Sequence, residues 1–103
     1  MDRRIESKVI DTAAAITNTI INKDASQVHW ITVSVEAQGT PGLLQIFDGF
    51  DAAGSLKFQI EPSDARQHLF IPPITCNEGV FVYTDAAIAS YTIGYRPLSW
   101  QEP

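Results

Sequence analysis

A single cysteine, Cys76, stands in a chain of 103 residues. That excludes a disulfide framework and any zinc site built on several thiolates. In a strand-like run such a thiol is expected to be a small core residue. Charge is sparse too: 18% of the residues are charged, below the usual quarter. The seven Lys and Arg residues are scattered apart from Arg3 and Arg4, and the net charge is −5. With no basic stripe, nucleic acid is not an expected partner. No run approaches the ~20 apolar residues of a membrane span. Arg3 and Arg4 imitate the charged start of a signal peptide, but Glu6, Lys8, Asp11 and Asn18 interrupt what would be its apolar region. The expectation is a protein made and folded in a cytoplasm, with no membrane partner.

Catalytic signatures are equally scarce. His29 and His68 are the only histidines, and both fall inside strand-like runs. Neither is spaced with a nucleophile and an orienting acid as a triad would require. Neither G-x-S-x-G nor H-E-x-x-H occurs. Gly39, Gly42, Gly49, Gly54 and Gly79 precede no helix and no Lys-Ser/Thr pair, so they read as turn residues. Asp48 and Asp51 lie three apart in a Gly-containing loop, a spacing that could offer two oxygens to calcium. The further ligands of an EF-hand loop are missing, and Asp-Gly is a common turn formula. The expectation is a protein that is not an enzyme, with no catalytic, cofactor or metal site.

What the chain does have is apolar content, 45%, arranged with period two. Disordered chains are poor in apolar residues, so one folded domain follows, with roughly two-thirds of its unfolded surface buried. Residues 16–21 are β-branched apart from Asn18 and end at Asn22-Lys23-Asp24. In residues 28–37, Ile31, Val33 and Val35 alternate with Thr32, Ser34 and Glu36, the mark of a half-buried strand. Residues 43–48 follow the Gln38–Gly42 turn. In residues 55–61 the alternation places Leu56, Phe58 and Ile60 inward, with Lys57 and Gln59 outward. Residues 66–71 form a run that Pro72-Pro73 is expected to end. Residues 80–84 and 89–96 complete the set, with Asp85-Ala86 between them as a hairpin turn. Seven strands at 8–12-residue spacing, with no helix-length pattern between them, predict an all-β antiparallel sandwich or jelly-roll of about seven to eight strands.

The organisation expected is an N-terminal arm over 1–15 that is extended, partly helical or carries a short extra strand, a β-sandwich domain over 16–96, and a tail over 97–103. The aromatic residues exceed what so small a core can hold. Trp30 has the opposite parity to Ile31, Val33 and Val35. Phe47 is opposite to Leu44 and Ile46, and Phe81 and Tyr83 to Val80 and Val82. Strands apolar on both faces are covered outside or lie at an interface. Candidate interface residues are therefore Arg3, Arg4, Ile5 and Val9 in the arm, Trp30, Phe47, Phe50, Phe81 and Tyr83 in the domain, and Leu98 and Trp100 at its end.

Three stretches carry a family likeness: HWITVSV (29–35), LLQIFDGFDAAGSLKFQI (43–60) and EGVFVYTDAAIASYTIGYR (78–96). The carrying features are the Ile46-Phe47-Asp48-Gly49 turn with its following Ala-Ala-Gly, the Gly79–Val82 strand and the closing Ile93–Arg96. From Trp30 to Tyr95 the chain resembles small β-sandwich virion proteins of tailed bacteriophages, of the capsid decoration or cement type or the head-tail accessory type. The resemblance implies a structural virion protein that stabilises a shell through symmetric contacts. Its partners would be copies of itself, a trimer favoured, and the major capsid or other virion proteins. It brings no functional residues with it. The alternative is a β-sandwich module that binds carbohydrate or a host surface, for which the aromatic residues would serve as stacking platforms.

Overall fold

Alternating β-branched and polar residues, cut by Gly, Pro and Asp-rich turns, produce strands almost throughout. The structure is a computed structural model that describes residues 6–11 and 18–98. Its strands are β1 (Glu6–Asp11), β2 (Asn18–Asn22), β3 (Ser26–Val35), β4 (Leu44–Asp48), β5 (Ser55–Ile60), β6 (Arg66–Cys76), β7 (Val80–Thr84) and β8 (Ile88–Pro97). They form two antiparallel four-stranded sheets, β1-β8-β3-β6 and β2-β7-β4-β5. The pairs 1–8, 2–7, 3–6 and 4–5 are nested, as if one long hairpin had been bent at the β4–β5 turn and wrapped over itself. That is the jelly-roll arrangement of eight strands. No helix among the described residues is long and apolar enough to cross a membrane.

The core lies between the sheets. Val28, Ile31 and Val33 of β3, Leu44 and Ile46 of β4, Val80 and Val82 of β7, and Ile88, Tyr91, Ile93 and Tyr95 of β8 fill it, with Ile21 and Cys76 at its margins. Burial pushes the Tyr91 phenol well above its usual range, against a smaller pull from Thr19. The Thr19 and Tyr91 hydroxyls face the interior, and neither makes a well-formed hydrogen bond.

One local reading is narrowed and three need correction. The first is in the arm, where the sequence allowed an extended or partly helical segment or a short extra strand, and where the strand is what forms. Residues 6–11 form β1, paired with β8 from Glu6 opposite Tyr95 to Asp11 opposite Ser90. The charged sequence of β1 has little alternation of its own, so its structure comes from the neighbouring ladder. The second concerns Leu56, expected inward but 50% exposed. Phe58 pairs with Ile46 but Leu56 pairs with Phe47, so Lys57 is an extra residue on β5. One inserted residue reverses side-chain parity beyond it.

The third is Pro72-Pro73, which does not end β6. Leu69 pairs with Trp30 and Ile74 with Val28, so the prolines sit in an unpaired outward excursion of an edge strand. An edge position tolerates their missing N–H groups. The fourth is Asp85-Ala86, which is a turn but not a hairpin. β7 pairs with β2 and β4, and β8 with β1 and β3, so the turn carries the chain from one sheet to the other. Asp85 accepts the Ala87 N–H at 3.0 Å, which fixes its geometry.

Candidate interaction surfaces

On the outer face of the β2-β7-β4-β5 sheet, cross-strand register sets four apolar residues in one row. Ile20 lies opposite Phe81, Phe81 opposite Phe47, and Phe47 opposite Leu56. The row crosses every strand of its sheet. The Phe47 and Phe81 rings are 6.1 Å apart and tilted by 56°. Both are nearly buried, at 7% and 5% exposure, although neither belongs to the cluster between the sheets. The row's ends are open: Ile20 is 39% and Leu56 50% exposed. The neighbouring rung of the same face is Asn18, Tyr83, Gln45 and Gln59. It is uncharged, and the Gln45 amide donates to Gln59 at 2.7 Å.

The β4–β5 turn beside this row is held by one carboxylate. Asp48 accepts the N–H groups of Asn77, Glu78 and Gly79 at 2.9, 2.8 and 3.4 Å. Burial pushes the Asp48 carboxyl up, but these three amides, with Lys57, more than offset it and hold the group below the usual carboxylate range. Gly54 must be glycine here, since a Cβ would fall 2.4 Å from the Asp48 carbonyl oxygen. Phe50, 47% exposed, packs over Gly79. Asp51 accepts the Ala53 N–H at 2.9 Å. Both carboxylates of the suggested calcium loop are thus engaged with backbone donors.

The outer face of the β1-β8-β3-β6 sheet is different in character. An extra residue at His29 lets Val28 and Ile31 both face inward and turns Trp30 outward. The indole lies flat on Gly94, where an added Cβ would meet three of its ring atoms at 2.2–2.7 Å. Along β3 and β8 the flanking pairs are Gln27 with Arg96, Thr32 with Thr92, and Ser34 with Ser90. Leu69, on the other side of Trp30, is 64% exposed, and Ile71 is 89% exposed. Burial, and the nearby Arg96 charge, lower the His29 pKa. His68 packs inward, edge-on to Phe58 at 5.3 Å.

Of the sequence-derived candidates, Phe47 and Phe81 come together, with Tyr83 on the adjoining rung and Phe50 at the turn. Trp30 lies on the opposite sheet. Val9 is in β1 opposite Thr92. Leu98 follows β8 and donates its N–H to the Ala25 carbonyl at 2.8 Å. Arg3, Arg4, Ile5 and Trp100 lie outside the described residues. Sequence reasoning missed Ile20, Leu56, Leu69 and Ile71. Ile20 could have been found, because its neighbour Ile21 supplies the inward face.

Cys76 is fully buried at the end of β6, and burial pushes its thiol up to about 11. The thiolate is the reactive form, so the native protein is expected to resist a disulfide-exchange reagent at neutral pH and to react stoichiometrically once unfolded. Rapid reaction of one thiol per chain in native buffer, followed by thiol titration, would contradict this placement.

Neither a family model nor a curated protein sequence matches the chain.

Proposed function

We propose that this domain is a structural assembly protein, and that copies of it meet at the exposed ends, Ile20 and Leu56, of the row Ile20–Phe81–Phe47–Leu56. The observation that carries this reading is the continuity of that row across all four strands on the face turned away from the core, with Phe47 and Phe81 covered and Ile20 and Leu56 left exposed at its ends. It reaches Leu56 on β5, the last strand in the order. A copy docking there covers the open end of the row together with the side of β5 that pairs with no described strand. A second copy suits the site because the adjoining Asn18-Tyr83-Gln45-Gln59 rung bears no charge, so the net charge of −5 does not oppose contact locally.

Covering one large apolar side chain is worth about 1.5–3 kcal/mol at most, and Ile20 and Leu56 are already half covered. A single such contact is weak, so the arrangement favours closed symmetry that repeats it. The likeness of residues 30–95 to small phage β-sandwich proteins supports placing this assembly in a virion, as a decoration or cement protein on the capsid shell.

Leu56→Asp tests the reading, because it sets a charge at the row's open end without touching the core. The wild-type chain should run as an oligomer, a trimer being three times its 11.3 kDa, and Leu56→Asp as a monomer with unchanged circular dichroism. In purified particles the chain should be present in stoichiometric copies, as read by mass spectrometry; its absence would remove the virion assignment.

A further inference from the structure

The face around Trp30 is not used by that assembly row, and its chemistry is of another kind. Gly94 leaves room for the indole to lie flat on the sheet, with one ring face against the backbone. Trp30 stays half-buried, and no described aromatic ring stacks on it. At one edge Arg96 Nη2 donates to Gln27 Oε1 at 2.6 Å, which orients both planar side chains beside the ring. At the other edge a shallow groove of about 150 Å³ runs between Thr32, Ser34, Ser90 and Thr92. There the Ser34 and Ser90 hydroxyls share a hydrogen bond at 2.8 Å.

We infer that this face binds a saccharide, with a sugar ring stacked on Trp30 and its hydroxyls met by Gln27, Arg96 and the groove hydroxyls. A sugar ring has an apolar C–H face and a polar rim. Trp30 answers the first, since an aromatic face is a large apolar surface with little rotamer freedom to lose. The planar pair on one side and the hydroxyls on the other answer the second, because each can both donate and accept, or is fixed to do one of them. The groove is smaller than the 300 Å³ or more of pockets for drug-sized ligands, which suits one ring of a chain that continues across the surface. Nucleic acid fits less well: Arg96 is the one cation among the described residues flanking the ring, and the chain is acidic overall.

The test begins on an array of defined oligosaccharides and bacterial surface polysaccharides. The affinity of the best-bound soluble oligosaccharide is then measured in solution by titration calorimetry, a readout that does not depend on the indole. Binding should weaken at least about tenfold in Trp30→Ala and several-fold in Gln27→Ala, which leaves the indole seated on Gly94. Thermal melts confirm that both variants are folded. Leu56→Asp should bind with the wild-type per-site affinity, so that failure of the assembly reading and failure of this one are told apart. An array with no bound saccharide would overturn the inference. So would a bound saccharide whose affinity is unchanged in Gln27→Ala and Trp30→Ala.

Discussion

Ile31→Ala is expected to cost about 2–5 kcal/mol, the range for truncating a buried Ile. Total stability for such a domain is about 5–15 kcal/mol, so this one change removes a large share of it. Ile31 is fully buried on β3, which is paired on both sides: Ile31 lies opposite His68 of β6 and Ile93 of β8. Neither neighbouring strand can move in to close the space without breaking its own ladder. A urea titration should give a lower midpoint with the slope unchanged, which marks lost stability rather than a changed unfolded state. Leu56→Ala, on the open end of the outer row, should stay within about 0.5 kcal/mol in the isolated chain. A similar cost at both positions would mean that the layers are assigned wrongly.

Asp48→Ala carries the second large effect, about 1–3 kcal/mol, because three backbone donors lose a charged acceptor together. The loss should also depend on pH. The folded state holds the Asp48 carboxyl below its ordinary range, so the stabilisation is fully present above the ordinary carboxylate pKa. It disappears as pH falls through the lower folded value. Wild-type stability should therefore decline on acidification below about pH 5, and Asp48→Asn should flatten that decline. Denaturant midpoints measured across the acid range read it directly. Parallel curves for wild type and Asp48→Asn would show that the carboxylate is not what ties the β4–β5 turn to residues 77–79.

The strands that alternate cleanly were legible because period two is set by local backbone geometry. Ile31-Val33-Val35 needs no knowledge of its partner to declare an inward face. The same parity exposed Phe47, Phe81 and Trp30 as outward residues. Leu56 was not legible, since the extra residue at Lys57 is defined only by the pairing of β5 with β4. β1 was no more than one option for the arm, for a related reason: its order is borrowed from β8, about eighty to ninety positions later in the chain. The seating of Trp30 on Gly94 likewise depends on β3–β8 register. Nothing in a Thr-Ile-Gly-Tyr run announces an indole above it. Long-range register, rather than local propensity, is what turned separate aromatic residues into one row and one platform.

That row is the centre of the functional reading, and the mass of the native species in solution addresses it most directly. Light scattering across a concentration series should return a multiple of 11.3 kDa for the wild type and the single-chain mass for Leu56→Asp. A wild-type chain that stays monomeric at every concentration, or a Leu56→Asp variant with the same oligomeric mass as wild type, would contradict it.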